Sequence, residues 1–512
     1  MPRRLPQLLL VSACGYLLAL MAYRFHALPG LHCDEAWAGL SALRILQDGL
    51  FSPHGINRYT SLLFSALVSG SFLAGTPGVW TLRLPGLLLN AAAALWMTLH
   101  FARRGGPAQA AAWLYLLASS ASFVLKARVA WEVFALQPIL MAALVVLLER
   151  PWEEGRAGFG RALLFHAVLL AGVLSHFIFI SVPLSLCVCL AGSVYLYGEK
   201  RASLLWLSAS GLLQSAVIFL LKPAISEALW GRGRGPILLA LALLPPVFAA
   251  LHRWAAVRWP EPPALDARLL KAFRAAVLAG LAAFFLLHWV ALLQVWSGVA
   301  VLQRLFAWDP PLALALPLYA WAAVLLGLLF VRALQEPGPD QPPSRTLLLR
   351  WSLAYAAVFP LFVTTHAIRY YVLPSFLFMA ALAWLLPELL RAWRWRAALP
   401  GLAVLLLLNV LFWKELSAPS ERRPLRFLLA THLERSWDFQ SLAPLASVLE
   451  RERPCRIEAT EQMLSGSLAF LSEVPPLSER ACDPSKSLAA WYCPDCARPP
   501  YFRWEVRREA AP

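Results

Sequence analysis

Apolar runs of about 17 to 22 residues recur along the whole chain, the length an α-helix needs to cross the hydrocarbon core of a bilayer. They fall at 5–23, 84–102, 107–124, 131–149, 162–180, 181–197, 204–221, 236–252, 275–294, 312–331, 350–366, 371–390 and 397–413. Of the 512 residues, 60% are hydrophobic and 14% charged, more apolar surface than a soluble domain of this size can bury. The pattern predicts an all-α polytopic membrane protein with about 13 transmembrane helices. The run at 5–23 follows Arg3-Arg4 but exceeds a signal-peptide core and precedes no A-x-A site, so it is read as a retained first span.

Lys and Arg total 45 against 29 Asp and Glu, a formal charge of +16. No nucleic-acid-binding motif accompanies this basicity, which suits membrane lipids and anionic substrates instead. Alternate loops carry the cations: Arg3-Arg4, Arg103-Arg104, 150–161, Lys200-Arg201, 253–274, 332–350, and Arg391, Arg394 and Arg396. The positive-inside rule makes that side cytoplasmic. It leaves 24–83, 125–130, 222–235, 295–311, 367–370 and everything after 413 outside.

The pair Asp34-Glu35 stands just after the first span, where Lys, Arg, Trp and Tyr are the usual anchors. Carboxylates near the hydrocarbon boundary are costly and point to function. The plain structural alternative is that Asp34 caps a helix running to about Gly49, with Glu35 in its first turn. Trp37, Leu40, Leu43 and Leu46 form one apolar stripe, which suits a helix lying in the interface. Ser61 to Leu73 is a second apolar stretch, too short to span comfortably. The loop 24–83 is thus a shaped outer segment rather than a connector.

These residues resemble a known family. An outer Asp-Glu pair after the first span, a short apolar segment, then Arg83-Leu84-Pro85 leading the next span look like the C-type (GT-C) membrane glycosyltransferases. Within them the chain is most similar to the protein O-mannosyltransferases and lipid A aminoarabinose transferases, the polyprenyl-phosphate sugar transferases. Lys126-Ala127-Arg128-Val129-Ala130-Trp131-Glu132, Ser175-His176-Phe177 and Arg369-Tyr370-Tyr371-Val372-Leu373-Pro374 agree with later family elements. The resemblance covers roughly residues 1–413. It implies a multi-pass protein of a bacterial inner membrane, with a cytoplasmic N-terminus, a transmembrane catalytic domain over 1–413 and a periplasmic domain over 414–512. It also implies an inverting transfer of sugar from a polyprenyl-phosphate donor to an acceptor lipid, glycan or protein.

The residues support that chemistry by placement. The candidate site faces outward, away from nucleotide sugars, and no Gly-rich phosphate loop is present, so the donor arrives on a lipid. Phosphate leaves as an anion, and Arg58, Arg83, Lys126, Arg128 and Arg369, with Tyr370 beside the last, are candidates to stabilise it. Interfacial snorkelling is the plain alternative for each cation. Asp34 is the candidate base for an acceptor hydroxyl, and Glu35 would orient the acceptor or support Asp34. A phosphate acceptor would need no base. Asp34 and Glu35 with His176 or His366 could instead ligate a divalent metal. Glu132 either joins the site or pairs with Arg128 four residues earlier.

The segment 414–512 is polar, with a predicted helix around 441–452 and strand-like pieces such as Arg456-Ile457-Glu458-Ala459. Cys455, Cys482, Cys493 and Cys496 in an oxidising compartment suggest two disulfides, and Cys493-Pro494-Asp495-Cys496 also reads as half of a zinc site or a redox pair. Cys33 has no assigned role. Two other function classes compete: a transporter of a lipid-linked or anionic substrate, and a ligase moving whole glycans from a diphosphate lipid.

Overall fold

A computed structural model describes residues 5–27, 30–49, 62–230, 234–261, 265–296, 311–335, 342–362, 370, 372–392, 442–459, 462–474, 481–492 and 502–508. Arg58, His366, Arg369, Cys493, Cys496 and the span at 397–413 lie outside them. The chain is predominantly helical, with one small sheet near its C-terminal end.

The first elements are α1 (Leu5–Ala22), α2 (Cys33–Asp48), α3 (Leu62–Ala74) and α4 (Val79–Arg104). Then come α5 (Pro107–Ser119), α6 (Ala121–Lys126), α7 (Glu132–Ala135), α8 (Gln137–Glu154), α9 (Phe159–Ser175) and a 3₁₀ turn at Phe177–Ile180. Next are α10 (Ser181–Tyr195), α11 (Ala202–Trp230), α12 (Gly235–Arg258), α13 (Ala267–Trp296), α14 (Leu312–Leu334), α15 (Pro343–Val358) and α16 (Val372–Ala392). Each predicted span through 371–390 falls on one or two of these helices. Five helical stretches among the described residues are long and apolar enough to cross a membrane by length and composition: Val79–Arg104, Glu132–Glu154, Phe177–Tyr195, Ala202–Ile225 and Gly235–Arg258.

Three predicted spans, 107–124, 131–149 and 162–180, are broken, and the break between α7 and α8 has a local cause. Pro138 has no N–H to give the Phe134 carbonyl one turn back. Asn90 of α4 fills that place: its Nδ2 donates to Phe134 O at 2.9 Å and to Gly86 O at 2.9 Å. An added methyl at Gly86 would sit 3.2 Å from the Ala135 side chain, so the small residue lets α7 approach α4 closely. The main core gathers α1, α4, α5, α8, α9, α10, α15 and α16 around Trp113, Trp351, Trp384 and Phe101.

The two ends of this bundle differ. At one end Arg104 pairs with Glu149 at 2.8 Å, Arg350 with Glu199 at 2.6 Å, Arg201 with Glu199 at 2.6 Å, and Arg345 with Glu388 at 2.8 Å. These join the helix ends read from the sequence as cytoplasmic. Arg83 lies on the same helix as Arg104 but near its start, about 30 Å away along the axis at 1.5 Å per residue.

After α16 the described chain continues with α17 (Ala443–Glu452), β1 (Pro454–Ala459), α18 (Gln462–Glu473), β2 (Asp483–Tyr492) and β3 (Phe502–Arg508). The sheet order is β1-β2-β3, parallel across β1/β2 and antiparallel across β2/β3, with Ile457 opposite Leu488 and Leu488 opposite Val506. Cys455 at the start of β1 is disulfide-bonded to Cys482, the residue before β2. Leu445, Leu449, Leu464, Leu468 and Leu488 turn inward and share a second core with α2 and α3. The apolar stripe of α2 is therefore covered by protein, α18 on one side and α3 on the other, where the sequence suggested an interface with lipid.

Candidate functional site

The loop–helix junction at residues 30–35 organises the site. The helix begins at Cys33, two residues earlier than an Asp34 cap would require, and His32 is its N-cap. His32 Nδ1 accepts the Asp34 amide at 3.1 Å, while Glu35 Oε1 accepts the His32 amide at 3.2 Å, a reciprocal capping box. Asp34 is thereby spared the capping role and sits in the first turn, where the helix dipole favours a negative charge. Its carboxylate is 3.5 Å from His32 Nδ1 and buried.

Glu35 has a different environment. Arg83 Nε donates to its Oε2 at 2.7 Å and Nη2 to its Oε1 at 2.8 Å, a bidentate pair with both side chains fully buried. The Ala130 amide adds a third donor, to Oε2 at 2.9 Å. Arg83 in turn donates to the carbonyls of Phe25 at 2.9 Å and Gly30 at 3.1 Å. The expectation that Arg83 grips a donor phosphate meets this geometry: the guanidinium faces Glu35 and two carbonyls of the outer loop. A buried carboxylate needs such a partner, and no other cation offers a fork of this reach.

Residues 126–132 form the facing wall. The expected Arg128–Glu132 helical pair gives way, because α6 ends at Lys126 and α7 starts at Glu132, so the two never share a helix. Arg128 Nη2 instead donates to Leu20 O at 2.6 Å and to Tyr23 O, binding the end of α1. Trp131 stacks on His32 with centroids 5.7 Å apart and donates from Nε1 to Glu132 Oε1 at 3.2 Å. Lys126 is buried over the Phe134 ring at 5.4 Å, and burial pushes its ammonium down to about 7.

The next layer contains Lys222, which sequence reading passed over. It is buried on α11, its Nζ donates to Val173 O at 2.9 Å, and it lies within electrostatic reach of Glu132. Its sequence signal was a lysine amid apolar residues directly before Pro223. One turn along, His176 caps the 3₁₀ turn by accepting the Ile178 amide on Nδ1 at 3.1 Å, which leaves the ring proton on Nε2. Tyr370 lies against that ring at 5.3 Å. The structure thus joins Glu35 to Arg83 directly, Asp34 to Glu132 through His32 and Trp131, and Lys126 to Trp131 through Phe134, while His176 and Tyr370 form a separate contact.

The metal expectation changes its ligands. Glu35 is saturated by Arg83 and amides, while His32, Cys33 and Asp34 each offer a ligand atom, all within 4.8 Å of one another and all buried. A nitrogen, a sulfur and a carboxylate oxygen suit a borderline-soft ion such as Zn²⁺ rather than an oxygen-bound Mg²⁺. Such an ion would compete for His32 Nδ1 with the helix cap.

No family model and no curated protein matches the chain in sequence. In structure it is similar to ArnT from Cupriavidus metallidurans bound to undecaprenyl phosphate, at 13% identity over 94% of this chain and 92% of that one, TM-score 0.49. It is similar to the Archaeoglobus fulgidus oligosaccharyltransferase in complex with Zn and sulfate, at 16% identity over 93% of this chain and 58% of that one, TM-score 0.47. A third likeness is to the oligosaccharyltransferase AglB from Archaeoglobus fulgidus with an inhibitory peptide and a dolichol-phosphate, at 14% identity, 93% and 61% coverage and TM-score 0.46. The chain spans about three fifths of the length of those oligosaccharyltransferases.

Proposed function

We propose that the protein is an inverting membrane glycosyltransferase that moves a sugar from a polyprenyl phosphate to an acceptor on the periplasmic face. One observation carries this reading. Two adjacent buried carboxylates open the first turn of α2: Glu35 is held by Arg83, and Asp34 lies 3.5 Å from His32, whose ring stacks on Trp131. Buried carboxylates gathered at one helix start are candidates for chemistry, and Asp34 is the one whose contacts are not an arginine fork.

In the reaction, the acceptor oxygen attacks the anomeric carbon opposite the phosphate. The bond from that carbon to the phosphate oxygen breaks, and the electron pair leaves on the polyprenyl phosphate. Asp34 takes the acceptor proton, and Glu35 and Arg83 hold the helix turn that aims it. Lys126, Arg128 and Lys222 are the described cations assigned to the leaving phosphate; Arg58 and Arg369, outside the described residues, are candidates for the same role from the sequence alone. Tyr370 and His176 supply an aromatic wall. An ion held by His32, Cys33 and Asp34 would supply Lewis acidity at the same place, and Asp34 would then be a ligand.

The test offers purified protein in lipid a panel of polyprenyl-phosphate sugars and measures released polyprenyl phosphate. Turnover abolished by Asp34→Asn at unchanged folding supports the reading. Turnover that survives Asp34→Asn removes Asp34 as base. With Asp34 as base, transfer persists in EDTA; loss on chelation restored by Zn²⁺ assigns Asp34 to a metal instead. Uptake of a labelled substrate without polyprenyl phosphate release identifies a transporter, a class to which the buried Lys222 and Glu132 would also belong.

A further inference from the structure

The helix that carries Asp34 is short and has a second support. Helix α18 lies along α2. The two surfaces interlock through a reciprocal exchange of glycine and aromatic ring. A methyl at Gly39 of α2 would fall 2.3 Å from Phe470 Cε2 and 3.0 Å from Cζ, so the Phe470 ring lies directly on the α2 backbone. A methyl at Gly466 of α18 would fall 2.6 Å from Trp37 Nε1, so Trp37 lies as directly on α18. Phe470 is fully buried and also stacks on Phe72 of α3, centroids 6.4 Å apart. Ser467 Oγ donates to Leu31 O at 3.4 Å, on the residue before the His32 cap.

These contacts fall on the first two turns of α2. Gly39 follows Glu35 by one turn, and Trp37 lies between them. Close backbone packing at two glycines fixes both the rotation and the height of one helix against another, because neither surface can slide without driving a ring into backbone. Arg83 clamps the helix from the membrane side, and α18 clamps it from the outer side.

We infer that Phe470, Gly466 and Ser467 are positioning residues for the candidate base, so the outer α/β unit governs the aim of Asp34 through α2. The catalytic part of this inference rests on the proposed transfer reaction; the coupling of α18 to the start of α2 does not. That coupling gives the sequence a use for an outer segment joined to the helix before the second span, more than 400 residues away in the chain.

The experiment reads Cys33, a buried thiol outside any disulfide, next to Asp34. Full-length protein with Cys493→Ser and Cys496→Ser is treated with a charged, membrane-impermeant maleimide, and a Cys33→Ser version gives the background. Gly39→Ala, which drives a methyl into Phe470, should raise the Cys33 labelling rate about tenfold as the first turn opens. Phe470→Leu removes Cε2 and Cζ and replaces the ring carbon Cδ2, 2.7 Å from the added methyl, with a methyl that can rotate away, so Gly39→Ala/Phe470→Leu should return labelling to within about twofold of the parent. Phe470→Leu alone introduces no clash and should raise labelling about threefold, which keeps the test open if Gly39→Ala fails to fold. Where transfer is measurable, Gly39→Ala should lower kcat about tenfold with the donor KM nearly unchanged, and the double variant should recover it. Unchanged Cys33 labelling in both folded single variants would overturn the coupling. Altered labelling with kcat unchanged would overturn the positioning role while leaving the docking. Absence of turnover in the parent protein would count against the proposed reaction and leave the labelling result to decide the coupling.

Discussion

The two ends of the bundle use charge differently. At the Arg104 end, ion pairs sit at helix termini and range from wet to buried: the Arg104 side chain is 42% exposed and Arg150 and Glu154 are 65% and 41% exposed, while Arg345 and Arg350 are buried with partly exposed partners, Glu388 and Glu199. At the Asp34 end, Arg83 and Glu35 are completely buried, and Lys126, Arg128, Glu132 and Lys222 are buried with them. Ion pairs at a wet rim hold helix ends together at small net benefit. A dry cluster of both signs is expensive to assemble and is kept where its charges have a task. The contrast is one of degree: the Arg104, Arg345 and Arg350 pairs each keep one partner partly exposed, whereas neither Arg83 nor Glu35 is exposed at all.

Four measurements would break or sharpen this contrast. The largest effect is expected for Asp34→Asn, which should lower the rate of sugar transfer by about 10²–10⁴-fold with little change in thermal stability, the signature of a base rather than a brace. Equal loss of stability would make Asp34 a structural acid. Next, Arg83→Ala leaves Glu35 buried without its cation and should destabilise by about 3–5 kcal/mol, whereas Arg83→Met combined with Glu35→Gln should cost less than the single change, as denaturation of the detergent-solubilised protein can show.

A third, smaller effect is pH-dependent. Burial holds the Lys126 ammonium down at about 7, against an ordinary lysine value of 10.5. The unfolded chain therefore holds more protons between those values, and the Lys126 contribution to stability improves as pH rises through that window. A bound phosphate restores the proton. Affinity for polyprenyl phosphate should then fall above pH 7, by at most about tenfold per pH unit, and Lys126→Arg should remove the slope. A flat profile in the parent protein would detach Lys126 from the phosphate. The smallest effect belongs to the other end: Arg150→Ala should change stability by less than about 0.5 kcal/mol. A larger loss there would erase the distinction between the ends.

Much of the architecture was legible because spans obey local rules. Apolar length and alternating loop charge located helices from α1 to α16, and the stripe through Trp37, Leu40 and Leu43 located α2. The missed details share another cause. Pairing Arg128 with Glu132 assumed one continuous helix, while the chain breaks between them and each residue finds partners more than 80 positions away. Glu35 and Arg83 were singled out by their residue types, yet their mutual pairing spans 48 positions that no local pattern encodes. Lys222 was hidden by its own surroundings, since one lysine barely alters the hydropathy of an apolar helix.

The sequence by itself determined a helical chain with runs of membrane-spanning length, the alternation of charge between its loops, and the presence of an acidic pair just after the first apolar run. Those are consequences of hydropathy and charge counted along the chain. Only the tertiary structure decided that Arg83 binds Glu35, that His32 rather than Asp34 caps the helix, and that a helix distant in sequence lies on the turn carrying both carboxylates. Such choices depend on which donors converge in three dimensions. A buried charge settles on the partner that desolvation and geometry allow, wherever that partner lies in the sequence.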